Sequence, residues 1–133
     1  MSQIWEYNGV QYEFDMMDAG TAERFQKACT IIEKKGNSFN GNTKSLREVL
    51  EYECEIIHEF FDIIFGDGTS DKLFGSSKYN LRVCLNAYSE SPESIMVLAN
   101  RQQMEISDLF MKVKQSYPQP NREQRSRNKK KKR

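Results

Sequence analysis

Ile4-Trp5-Glu6-Tyr7-Asn8-Gly9-Val10-Gln11-Tyr12-Glu13-Phe14 sets the fold class of this 133-residue chain. Asn-Gly accepts positive φ at both central positions, so it is a strong signal for a two-residue hairpin turn. The flanking residues alternate. Val10, Tyr12 and Phe14 share one face of the second strand, and Gln11 and Glu13 share the other. An isolated hairpin is marginal in water. This one must lie on helices or pair with another strand.

Everything downstream reads as helix. Asp18 is positioned to cap a helix over about residues 19–35, with Thr21 as a competing start. Ala22, Phe25, Cys29 and Ile32 form its apolar face, and Gly36 is its expected end. Residues 36–42 read as a flexible connection. A second helix is predicted from about Thr43 to Phe65, with Leu46, Leu50, Cys54, Ile57, Phe61 and Ile64 as its stripe. Gly66 follows as a stop. Thr69 is expected to cap a short turn ending at Gly75. A third helix is expected from Asn80. Ser91-Pro92-Glu93 either begins a further helix or kinks a continuous one. From Glu93 to Gln115 the apolar residues are Ile95, Met96, Leu98, Ala99, Ile106, Leu109, Phe110 and Val113. Residues 100–105 are polar except Met104, so that middle faces solvent or a partner.

The expected architecture is α+β and mostly α: an N-terminal β-hairpin packed on a bundle of three to four helices. A disordered basic C-terminal arm follows. Residues 1–117 form the domain and carry twelve Lys and Arg against eighteen Asp and Glu, a formal −6. Residues 118–133 carry Arg122, Arg125, Arg127, Lys129, Lys130, Lys131, Lys132 and Arg133 against Glu123, a formal +7. Such an arm binds phosphates by counterion release. It holds no aromatic residue among its cations, so base stacking is absent. Gripping an acidic surface, or folding back on its own acidic body, stays open.

The chemistry-bearing residues read mainly as structural. Cys29, Cys54 and Cys84 have neither metal nor redox spacing, and each falls in an apolar helical pattern as a small hydrophobe. His58, the single histidine, has no nucleophile or orienting group singled out by spacing. Asp15 and Asp18 read as loop and cap rather than a carboxylate pair. Gly66-Asp67-Gly68-Thr69 lacks phosphate-loop spacing. The expectation is a non-enzyme without metal or cofactor, and a deep pocket lined by His58 and acids would argue against it. No run is apolar enough to span a membrane and no signal peptide is evident, so an intracellular location is expected. Neighbours on a helix cannot share one narrow face. One of Phe60 and Phe61, with Phe65 and Phe74, is therefore expected at an edge that meets a partner or the hairpin. Met104 joins them as a candidate partner contact. The hairpin edge and that aromatic edge leave a homo-oligomer open.

Gly9-Val10-Gln11-Tyr12-Glu13-Phe14-Asp15, Asp18-Ala19 and Ala22-Glu23-Arg24-Phe25 carry a resemblance. It continues through Phe60-Phe61-Asp62, Phe65-Gly66-Asp67-Gly68-Thr69, Leu73-Phe74-Gly75, Asn80 and Cys84. The chain resembles a family of small phage and prophage proteins of unknown function, whose members often look like tail assembly chaperones of long-tailed phages. Asn121-Arg122-Glu123-Gln124-Arg125 is similar to the Asn-Arg-x-Gln-Arg-Arg ending of many such chaperones, with Ser126 in place of the second Arg. The resemblance implies a non-enzymatic role in the cytoplasm of a bacterial host. Such chaperones coat the helical tape-measure protein before the tail tube assembles. They are often made in two lengths by frameshifting, the longer form recruiting tube protein, and Lys129 to Lys132 fit an A-rich slippery stretch. The alternative is a nucleic-acid-associated phage protein acting through the basic arm.

Overall fold

The computed structural model describes residues 3–116. It is an α+β fold, mostly α, with an N-terminal hairpin laid on packed helices. Strand β1 (Ile4–Tyr7) pairs antiparallel with β2 (Val10–Glu13), Trp5 opposite Tyr12 and Tyr7 opposite Val10. The turn residues Asn8 and Gly9 have φ of 53° and 77°, the left-handed pair that a tight hairpin of this twist requires. The apolar face of the hairpin covers the bundle. Trp5 and Phe14 are buried, with Tyr7, Val10 and Tyr12 packed beside them.

Helix α1 (Ala19–Ser38) starts at Asp18, whose carboxylate accepts from the Thr21 amide at 2.9 Å and the Thr21 hydroxyl at 3.0 Å. Those bonds hold the Asp18 carboxyl below its usual pKa, the Thr21 amide contributing most. Thr21 therefore supports the cap and does not start the helix. Gly36 does not end the helix either: α1 runs on to Ser38. Tyr52 explains the extra turn. Its hydroxyl donates to the Lys35 carbonyl at 2.9 Å, and its ring stacks on Phe39 with centroids 4.0 Å apart. Tertiary contact here outweighs the weak helix propensity of glycine.

Helix α2 (Leu46–Phe65) begins three residues later than its periodicity suggests. Ser45 caps it in a reciprocal box with Glu48, while Gly41–Thr43 forms a separate 3₁₀ turn. Gly66 ends it at φ 110°, as expected. Helices α1 and α2 pack along their lengths through Phe25, whose ring meets Phe60 edge-on at 6.0 Å. Arg24 Nε donates to the Ile64 carbonyl at 3.1 Å and satisfies one of the orphan acceptors at the end of α2.

After Gly68 (φ 89°) comes α3 (Thr69–Phe74). Thr69 is not its cap: the Thr69 hydroxyl donates to the Gly66 carbonyl at 2.6 Å. Asp62, one turn before the end of α2, accepts instead from the Ser70 amide at 3.0 Å. Helix α4 (Leu81–Leu85) is capped by Asn80 and continues as a π-helical turn, Asn86–Glu90. That turn closes when the Ser91 amide and hydroxyl both reach the Asn86 carbonyl, at 3.3 and 2.7 Å. Helix α5 (Ile95–Ser116) then starts after a true break. Ser94, not Ser91, makes its capping contact, accepting from the Val97 amide at 3.4 Å. Pro92 thus sits in the connection, outside any helix.

The core is a run of aromatic contacts centred on Trp5. Its indole stacks on Tyr7, Phe61 and Phe65 at centroid distances of 5.9, 5.2 and 5.7 Å. Its Nε1–H donates to the Glu93 carbonyl at 2.8 Å, tying β1 to the entrance of α5.

Candidate protein-interaction surface

The structure moves the expected contact residues inside. Phe60, Phe61 and Phe74 are all under 5% exposed, so none offers an edge to a partner. Phe65 is half-buried beneath the hairpin, 4.6 Å from the Tyr12 ring and 6.0 Å from Phe14. The aromatic surplus of α2 is taken up by the hairpin, one of the two destinations open to it. Met104 is exposed. The basic residues Arg122, Arg125, Arg127, Lys129, Lys130, Lys131, Lys132 and Arg133 lie outside the described residues.

A depression of about 480 Å³ is lined by His58, Glu55, Glu59, Asp62 and Asp67. His58, Glu59 and Asp62 are already engaged within the fold. His58 Nε2 donates to the Lys78 carbonyl at 2.6 Å, and the ring sits between Phe74 and Tyr79 with both centroids at 5.6 Å. The Cys84 thiol donates to the same carbonyl at 3.3 Å. Burial pushes the Cys84 thiol up to about 12, which removes thiolate character. Asp62 is engaged with Ser70, and Asp71 pairs with Lys78. Among the described residues no cluster of His, Cys, Asp and Glu could hold a metal.

Burial also lowers the pKa of His58 below 6.5. The unfolded chain therefore takes up the proton first, and stability falls as pH drops below about 6.5 toward the lowered native value. Urea unfolding between pH 7.5 and 5 should show this loss, and His58→Gln should flatten it. Equal slopes in the two proteins would remove His58 as the cause.

The feature left open to solvent lies on α5. Its first turns are buried through Ile95, Ala99 and Gln102. Gln102 is 4% exposed and clamps the connection between β2 and α1. Its Oε1 accepts from the Met16 amide at 2.9 Å, and its Nε2 donates to the Phe14 carbonyl at 2.6 Å. This corrects the reading of residues 100–105 as wholly outward-facing. At 3.6 residues per turn, Ile106, Leu109, Phe110 and Val113 continue the same face beyond the clamp. Leu109, Phe110 and Val113 are 40%, 64% and 45% exposed, and Ile106 is half-buried. Met104 and Met111 lie about half a turn away on the opposite side, so Met104 is exposed but not part of this stripe.

Sequence periodicity contained the stripe but not its exposure. Gln102 was the missed residue; a polar side chain on an otherwise apolar face is the signal that marks it. No helix among the described residues is long and apolar enough to cross a membrane. Neither a curated protein nor a solved structure matches the chain. The model of a family of unknown function, DUF6673, matches residues 8–131, and the chain belongs to that family.

Proposed function

We propose that this protein is a non-enzymatic assembly chaperone that holds an amphipathic helix of a partner, in the manner of the tail assembly chaperones it resembles. The partner class is the helical tape-measure protein of a long-tailed phage, and tail-tube protein is a second candidate. One observation carries the reading: an apolar stripe, Ile106, Leu109, Phe110 and Val113, stands on a helix whose base is fixed by Gln102. Large exposed apolar patches mark interaction sites. A pre-formed helix face suits an i, i+3, i+4, i+7 partner. The acidic body limits indiscriminate association before the partner arrives.

Co-expression with a tape-measure protein from the same gene neighbourhood tests this. The wild-type chain should raise the soluble fraction of that protein and co-purify with it, and Leu109→Glu should reduce co-purification at least tenfold. The reading is wrong if the wild type changes neither quantity. Removal of residues 121–133 should leave the complex intact. If truncation instead abolishes a salt-sensitive nucleic-acid complex, the basic arm is the functional element.

A further inference from the structure

Cys54 on α2 and Cys84 on α4 are both buried in the same core, each at 0% exposure. Cys54 and His58 stand one turn apart on one face of α2. Cys84 packs against that turn. Its Sγ lies 3.8 Å from His58 Nε2, and the Cys54 and Cys84 thiols hydrogen-bond to each other. The fold thus joins two thiols from separate helices whose spacing along the chain is neither a metal nor a redox motif.

The surroundings tolerate the loss of both thiol hydrogens. The Lys78 carbonyl accepts the Cys84 S–H at 3.3 Å and the His58 Nε2–H at 2.6 Å. Removing the thiol hydrogen leaves His58 on that carbonyl, so no buried acceptor is orphaned. The closed fold keeps the pair unreactive. Burial raises both thiols, Cys84 to about 12, and an oxidant cannot touch a sulfur at 0% exposure. Access requires an opening, and α4 supplies it. It has five residues, followed by the π-helical turn that the Ser91 hydroxyl closes on the Asn86 carbonyl. A helix that short has little stability of its own.

We propose that Cys54 and Cys84 form a gated disulfide pair, oxidised by a small disulfide of the glutathione class when α4 lifts from α2. In the open state Cys84 gives its proton to solvent, and its thiolate attacks one sulfur of the oxidant. One oxidant thiolate leaves and takes up a proton, and Cys84 carries the mixed disulfide. Cys54, deprotonated in turn, attacks the Cys84 sulfur and expels the second thiolate, which is protonated as well. Two protein thiols are oxidised, and one oxidant disulfide is reduced to two thiols. His58 takes no proton through Nε2, which already carries the hydrogen given to Lys78. The bond pins α4 and the π-helical turn to α2, and the closed loop removes freedom from the unfolded chain. None of this depends on the proposed client.

Incubation of the full chain in glutathione buffers of graded oxidised fraction tests the pair, read by mass spectrometry of its peptides. Wild type and Cys29→Ser should both lose two hydrogens and yield a peptide joined through Cys54 and Cys84. Cys54→Ala and Cys84→Ala should yield none. Cys29→Ser retains both partners, so the result stands even where those two variants fold poorly. The oxidised chain should melt roughly 10 °C above the reduced one, and dithiothreitol should reverse the shift. Ser91→Ala should speed cross-linking about fivefold, the factor that one net hydrogen bond contributes to an opening equilibrium. Absence of a Cys54–Cys84 peptide in every buffer overturns the proposal, as does a principal bond through Cys29. An oxidised chain that melts lower than the reduced one also overturns it, because the pair then closes only by distorting the fold. A cross-linking rate unmoved by Ser91→Ala sinks the gate at α4.

Discussion

Trp5→Ala should destabilise the fold by about 4 kcal/mol, since a buried Trp or Phe truncated to Ala typically costs about 3–5 kcal/mol. Trp5 is 2% exposed, and its ring stacks on partners in β1 and α2 at once. The indole N–H is also removed, which leaves the Glu93 carbonyl without that donor. A loss of that size is a large part of the roughly 5–15 kcal/mol that holds most domains folded. Trp5→Phe separates the two contributions. It retains an aromatic ring in the stack and loses the hydrogen bond, so it should cost clearly less than alanine. Chemical denaturation followed by far-UV circular dichroism measures both. A loss below about 1 kcal/mol for Trp5→Ala would mean that the hairpin does not seal the bundle. Because Trp5 is the single tryptophan, its fluorescence in the wild type reports directly on this junction.

Gln102→Leu should cost about 3 kcal/mol, because leaving a buried polar group unsatisfied costs about 1–3 kcal/mol. Two such groups are created, the Met16 amide and the Phe14 carbonyl. Only one orientation of the Gln102 amide serves both, since one neighbour donates and the other accepts. Gln102→Glu should therefore be worse than a simple isostere at neutral pH. Its carboxylate can still accept from Met16 but faces the Phe14 carbonyl without a proton. Acidification toward pH 4 should recover part of the loss, as the protonated acid regains a donor. Equal stability of Gln102→Leu and wild type would show that the clamp contributes nothing. Equal pH profiles for Gln102→Glu and Gln102→Leu would show that the donor to Phe14 is irrelevant.

What the sequence made legible was local. Asn8-Gly9 announced the hairpin, Asp18 the start of α1 and Gly66 the end of α2, because each depends on backbone conformations its own residues favour. The Ser45-x-x-Glu48 capping box was missed in the sequence, because apolar periodicity pointed to an earlier start. The other misplacements had tertiary causes. Gly36 stays helical because Tyr52 reaches across from α2. Phe60 and Phe61 both fall inside because the hairpin adds a second wall to α2, and one helical stripe cannot foretell a second wall. Gln102 lies 86 residues from Met16 and 88 from Phe14, and no window on the chain holds those partners together. The outer stripe of α5 was legible as apolar and periodic; that residues 3–116 leave Leu109, Phe110 and Val113 exposed is a property of the assembled fold.

Helix α5 is held near its middle and bare toward its end, which makes it mechanically a cantilever. Its outer arm is roughly 21 Å long at 1.5 Å per residue, so a tilt of about 10° at Gln102 carries the tip about 4 Å. Force travels the other way as well. A load on Phe110 or Val113 turns about the two hydrogen bonds of Gln102 and bears on Phe14 and Met16, the hinge between hairpin and bundle. The outer arm of α5 and the hairpin that covers the core thus share a fulcrum, so a load on the arm also pulls on the hairpin.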